Sequence, residues 1–352
     1  MKLTQKALTA SLMAAGLLFG AGAAHAAATI INGNIALGVN DEGHLNTTIG
    51  TVSVNGGGRT GIAYKFPDGN FRDATSPGCF CEGWGVSAGA VSGNADVSVG
   101  GVANLTVDSF TSTATTATSA VHLTSLPGLT VTQAYSPSDN APGALFKDVV
   151  TITNNTGVDQ TNVRYVRVMD WDVPPTEFAE LVTIKGTATT SLLERSSDDG
   201  FDTPNPLAPN TAILAACTDQ DCTDTGPADH GAYFRFNFGT LAAADDPTTT
   251  DVVENVATFT IFYGATGNEA DAIAAIAAES IELYSLGQSR GAGSTGVPAT
   301  YIFGFAGVGG TALECGDPGQ PPCETTVPEP ASLALLGIGL AGLGAIRRRK
   351  QA

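Results

Sequence analysis

Apolar residues recur at every second position through much of this chain, and the runs are closed by Asn, Gly and Pro. Residues 29–31 precede Asn32-Gly33, residues 35–39 precede Asn40-Asp41-Glu42-Gly43, and residues 44–54 precede Asn55-Gly56-Gly57-Gly58. Alternation punctuated in this way predicts half-buried strands joined by tight turns. The pattern returns over 86–107, 111–123 and 129–135, whereas 66–84, dense in Pro, Gly, Cys and aromatics, reads as a packed irregular loop. The clearest alternation lies in 145–153 and 163–169, which flank Asn154-Asn155-Thr156-Gly157 and read as a strand pair; Pro174-Pro175 stops pairing beyond it. Further strands are expected at 180–190, 212–216 and 301–305, and 233–238 with 257–263 reads as an aromatic-rich pair.

One stretch has the period of a helix, near residues 269–286. Asn268 caps it, Glu269 and Asp271 complement the dipole in the first turn, Ile273, Ile276, Ala277, Ile281 and Tyr284 share a face, and Gly287 ends it. The expected fold is therefore all-β: a large β-sandwich or double sandwich with one short helix, followed by a C-terminal hydrophobic helix.

The two ends differ from this body. Lys2 and Lys6, an apolar stretch over 7–24 and Ala24-His25-Ala26 describe a signal peptide over residues 1–26. At the other end, a Pro-rich spacer over 314–326 leads to Val327-Pro328-Glu329-Pro330, an uncharged run over 331–346, and Arg347-Arg348-Arg349-Lys350. At ~1.5 Å per residue the run reaches about 24 Å, short of a hydrocarbon core of about 30 Å, so its basic end must snorkel to the interface. Positive-inside placement then leaves residues 27–330, including the β-sandwich body over 27–313, outside the cytoplasm.

Composition narrows the function classes. Residues 27–330 keep 10 of the 16 basic residues and all 34 acidic ones, a net charge of −24. That balance excludes nucleic acid as a partner, since such binding rests on Lys and Arg neutralising phosphates. Six cysteines in an exported chain favour disulfides. Local pairing is expected for Cys217 with Cys222 and for Cys315 with Cys323, while Cys79 and Cys81 stay open because a bridge across one residue is strained. Zinc is disfavoured by the spacing.

Asp170-Trp171-Asp172 is the most site-like cluster, with Glu177 and Glu180 close behind. In a strand the two aspartates face one side and the indole the other. Carboxylates beside an aromatic suit a sugar or a divalent cation; the competing reading has the aspartates capping a turn or pairing with Arg164 and Arg167 while Trp171 fills the core. Asp198, Asp199 and Asp202, and Asp219, Asp221 and Asp224, are weaker calcium candidates in acidic loops that lack the closing glutamate of a calcium-binding loop. His44, His122 and His230 stand far apart, and no nucleophile elbow or zinc-protease motif is present, so no enzyme activity and no cofactor beyond a candidate calcium are expected.

The C-terminal motif, helix and basic end, including Val327, Pro328, Glu329, Pro330, Arg347, Arg348 and Arg349, resemble the PEP-CTERM sorting signal of Gram-negative bacteria. That resemblance implies a transient inner-membrane intermediate, processing by an exosortase-type membrane protease, and delivery to the cell surface or extracellular matrix. It also implies an association with exopolysaccharide and biofilm, making a structural or adhesive protein the expected function, with extracellular polysaccharide a candidate partner. The alternative is a carbohydrate-binding or carbohydrate-processing sandwich using Asp170, Trp171 and Asp172. The Asn-x-Thr-Gly turn and the strand ending in Met169-Asp170-Trp171-Asp172 also resemble a domain of bacterial surface proteins, which implies a fold and no activity. Intact-mass measurement of the secreted protein is expected to find an N-terminus near Ala27; retention of residues 1–26 would contradict export by this signal.

Overall fold

The computed structural model describes residues 27–211, 213–244, 255–290 and 299–312. The leader, Cys315, Cys323, the spacer and the sorting motif lie outside the described residues.

The strands, in chain order, are β1 (Ala28–Asn32), β2 (Ile35–Val39), β3 (Ile62–Lys65), β4 (Phe71–Asp73), β5 (Gly83–Ala88), β6 (Val91–Asp96), β7 (Leu105–Ser112), β8 (Ala117–Leu123) and β9 (Leu126–Pro137). Then come β10 (Leu145–Asn154), β11 (Arg164–Asp170), β12 (Glu180–Lys185), β13 (Leu193–Ser197), β14 (Cys222–Ala228), β15 (Gly231–Asn237) and β16 (Val256–Thr266). Helix α1 (Glu269–Ala278) precedes β17 (Leu283–Gln288) and β18 (Thr300–Ala306).

Three sheets result: a nine-stranded sheet ordered β14-β12-β17-β18-β16-β10-β9-β8-β7, a five-stranded sheet ordered β13-β15-β11-β5-β6, and a four-stranded sheet ordered β1-β2-β3-β4. The first two face each other as an all-β sandwich. Tyr165 of β11 meets Phe259 of β16 edge-on at 5.0 Å, and Phe236 of β15 lies 4.9 Å from Phe305 of β18. Period-two alternation sorts β16 and β18 between two cores: Phe259, Ile261, Tyr263, Tyr301, Phe303 and Phe305 point into the sandwich. Phe262 and Ile302 point to the outer face of the same sheet, where Ala272, Ile273, Ala275 and Ile276 of α1 cover them. The four-stranded sheet contributes Ile30, Leu37 and Ile62 to the main core.

Several sequence expectations change. The strands at 145–153 and 163–169 do not pair: β10 lies between β9 and β16, while β11 lies between β5 and β15. The aromatic runs in β15 and β16 likewise belong to facing sheets, and their rings meet across the core rather than along a ladder. The helix is shorter than the apolar spacing suggests. Asn268 does cap it, accepting from the Asp271 N–H at 2.9 Å, but it ends at the Glu279 cap and Ser280 takes a left-handed φ of 54°. Residues 283–288 then pair with β18 and β12, because two-sided sheet burial outweighs one more helical turn. Residues 213–216 form no strand, and 44–54 are turns with isolated bridges at Thr47 and Ser53. Within 66–84 the loop includes β4 and the start of β5.

Inside the sandwich, Arg167 of β11 is fully buried and paired with Glu82. It also donates to Gln133 Oε1 at 2.6 Å and to the Tyr135 hydroxyl and Gly43 carbonyl at 3.2 Å each. Asp148 of β10 is buried in the same interior, and burial pushes its carboxyl up to about 7 against the pull of Arg167. Its folded value lies above its unfolded one, so its contribution to stability is complete below about pH 4 and is lost as pH rises through about 7. Asp148→Asn, which mimics the protonated form, is expected to flatten this part of the pH profile and to gain roughly 1–3 kcal/mol over the parent at about pH 8 in urea denaturation. Parallel profiles for the two proteins would contradict it.

Candidate functional site

The end of β11 carries the chain from one face to the other. Trp171 turns inward and is fully buried; its indole N–H donates to Ser285 Oγ on β17 at 3.0 Å. The ring lies against Gly287, where a Cβ would stand 2.6 Å from the indole, so only glycine leaves room for it on that strand. Backbone bonds fix the flanking positions: the Trp171 N–H donates to the His230 carbonyl at 2.9 Å and the Asp172 N–H to the Ala74 carbonyl at 2.8 Å.

Asp170 and Asp172 point the other way, as strand alternation requires, and converge with Asp229 so that one carboxylate oxygen from each lies within 4.8 Å of the others. Glu180, at the start of β12, adjoins them, and its Oε1 accepts from the His230 N–H at 2.6 Å. Asp170, Asp172 and Glu180 are buried, whereas Asp229 is half-buried and marks the side open to solvent. Neither aspartate pairs with the arginines proposed for it. Arg164 pairs with Glu194 at 2.7 Å and Arg167 with Glu82.

The electrostatic result is a set of carboxylates without a neutralising cation. Burial, then Asp229 and Glu180, push Asp172 up to about 9; burial, then Asp172 and Asp229, hold Asp170 well above the usual carboxylate range. Burial likewise raises Glu180 to about 8. Asp170 Oδ1, both Asp172 oxygens, Glu180 Oε2 and Asp229 Oδ1 are buried without a hydrogen-bond partner. A buried carboxylate in this condition either holds a proton or coordinates a cation.

The acidic loops are arranged differently from the calcium reading. Asp198 accepts from the Cys217 N–H at 3.0 Å, Asp199 from Phe201 at 3.0 Å, and Asp202 from Thr203 at 2.8 Å. Asp219 takes the Ser196 N–H and pairs with Arg195, and Asp221 takes the Thr187 N–H and hydroxyl. Those oxygens close loops, and the Asp224 N–H is tied to Thr183 Oγ1. Among the described residues none of the six belongs to a convergent three-ligand group. Cys79 is bonded to Cys81 and Cys217 to Cys222. Cys79 Sγ lies 3.2 Å from Asp170 Oδ2, so the first disulfide closes one wall of the acidic centre.

Sequence reasoning missed Asp229 and the part played by His230. They belong to no motif and stand about sixty residues from Asp170. The available signal was a polar pair, Asp229-His230, placed directly before the apolar strand β15.

The described body is thus an all-β sandwich with a closed acidic centre. The protein bearing it carries a PEP-CTERM protein-sorting motif, matched by the family of that description over residues 326–350. The motif marks the chain as exported to the cell surface and processed by exosortase. No curated protein matches the chain. Among solved structures it is similar to a galactose mutarotase-like protein from Lactobacillus casei ATCC 334 at 10% identity, over 80% of this chain and 87% of that one, with a TM-score of 0.31.

Proposed function

We propose that the protein serves as a non-enzymatic structural or adhesive component of an extracellular polysaccharide matrix, to which its sorting signal delivers it. The observation that carries this choice over a carbohydrate-processing site is burial. Asp170, Trp171 and Asp172 are at most 1% exposed, so the indole has no face for a sugar ring and the carboxylates no cleft for a glycosidic bond. Contact with the matrix falls instead to the outer surface. There an open groove of about 390 Å³ is lined by Pro206, Pro209, Asn210, Arg164 and Arg235, the two arginines sharing Glu194.

Deletion of the gene in the native host is expected to weaken matrix cohesion while leaving the chain length and linkage of the polysaccharide unchanged. The full chain should restore cohesion, and Glu329→Ala, retained in the membrane uncleaved, should not. Altered polysaccharide linkage or length in the deletion strain would point to catalysis and overturn the proposal, as would unchanged cohesion.

A further inference from the structure

The acidic centre is built from three separate parts of the chain. Asp170 ends β11 of the five-stranded sheet and Asp172 follows it, Glu180 opens β12 of the nine-stranded sheet, and Asp229 lies in the turn between β14 and β15. Asp170, Asp172 and Asp229 therefore converge within 4.8 Å where the two sheets come together, with the Glu180 charge acting on them from beside.

Several carboxylates elsewhere in the body are held by cations. Arg72 holds Asp68, Lys147 holds Asp139, Arg164 and Arg235 share Glu194, Arg195 holds Asp219, and Arg167 holds Glu82. At the acidic centre no such partner is in place among the described residues, and the ring of His230 approaches Asp198 at 3.1 Å. Asp170, Asp172 and Glu180 are buried with five oxygens of the four-residue set lacking any hydrogen bond. Leaving charged oxygens dry and unpaired costs several kcal/mol each unless a counter-ion restores their coordination.

The backbone is shaped around these groups. Gly226, at a φ of 132°, passes so close that a Cβ would stand 2.9 Å from His230 Nε2, and one at Gly78 would lie 3.3 Å from Asp172 Oδ1. Asp229 is the half-buried member of the set.

We propose that Asp170, Asp172 and Asp229, with Glu180 alongside, bind one divalent cation of the calcium class, which fastens the end of β11 to the turn between β14 and β15. All-oxygen, carboxylate-rich donors select a hard cation, and ligands from separate segments form the adaptable cage that calcium accepts more readily than magnesium. Millimolar calcium outside the cell is enough to fill a site of modest affinity. The site goes beyond the matrix function proposed above and stands or fails independently of it.

The test uses the secreted protein, stripped with a chelator. Titration with calcium followed by calorimetry is expected to show one ion bound per chain, and saturating calcium to raise Tm by about 5–10 °C. Terbium used as a calcium probe should give emission sensitised by the nearby Trp171 and be displaced by calcium. Asp172→Asn should fold in chelator at least as stably as the parent, yet lose the calcium-dependent shift and the terbium signal. Three outcomes overturn the proposal: no calcium-dependent shift in the parent, a shift that survives intact in Asp172→Asn, or binding of zinc in place of calcium after the Cys79–Cys81 bond is reduced.

Discussion

The sandwich depends on the way Arg167 is held between its sheets. This guanidinium projects from β11, is fully excluded from water, and meets Glu82 from the segment before β5, Gln133 and Tyr135 from β9, and the Gly43 carbonyl from the N-terminal region. The Tyr263 ring of β16 lies 5.4 Å away as a further partner for the charge. Glu82 is fixed in turn by the Leu45 N–H at 2.6 Å. A charge this deep is tolerated because its donors are met in several directions at once, and that requirement fixes how the facing sheets and the N-terminal segment sit on one another. Around it the aromatic core closes, with Trp84 stacked on Tyr165 at 5.7 Å and Tyr263 on Phe303 at 5.6 Å.

Three residues further along the same strand the situation inverts. Strand alternation points Arg167 into the sandwich and Asp170 away from it, into a group of carboxylates with nothing to neutralise them. One end of β11 is thus complete within the chain, and the other is complete only with a proton or a cation. On the cation proposal this separates two compartments: the chain folds around protonated carboxylates and tightens where calcium is plentiful. The burial that leaves Trp171 no face for a sugar also leaves the neighbouring carboxylates dry and without hydrogen-bond partners.

Period-two alternation was legible for β2, β8, β9, β10, β11 and β16, because each buries one face or both against a dense core. The partners of those strands were not. The turn after β10 carries a strong hairpin signal, yet the Asn154 side-chain amide donates to the Val158 and Ala242 carbonyls at 2.8 and 2.7 Å and directs the chain across to the other sheet. Sequence reports which residues alternate; the choice of ladder rests on contacts from Leu241 and Ala242, far along the chain. Residues 281–286 have apolar spacing that fits a helix or a strand, and pairing on both sides by β12 and β18 decided it. The opposed faces of Asp170, Trp171 and Asp172 could be read from spacing. Asp229 could not, since its place depends on how β14 and β15 are joined, and the burial of Arg167 left no local trace.

The most direct measurement compares two variants side by side, by chemical denaturation in chelator at about pH 8. Arg167→Met strands Glu82 as an unpaired buried charge, and the account predicts a loss of roughly 3–5 kcal/mol. Asp172→Asn removes a carboxyl that has no neutralising partner among the described residues and must take up a proton on folding at this pH, and the account predicts a gain in stability. A loss from Asp172→Asn comparable to that from Arg167→Met would contradict the account, since it would mean that the acidic centre is already neutralised by the protein itself.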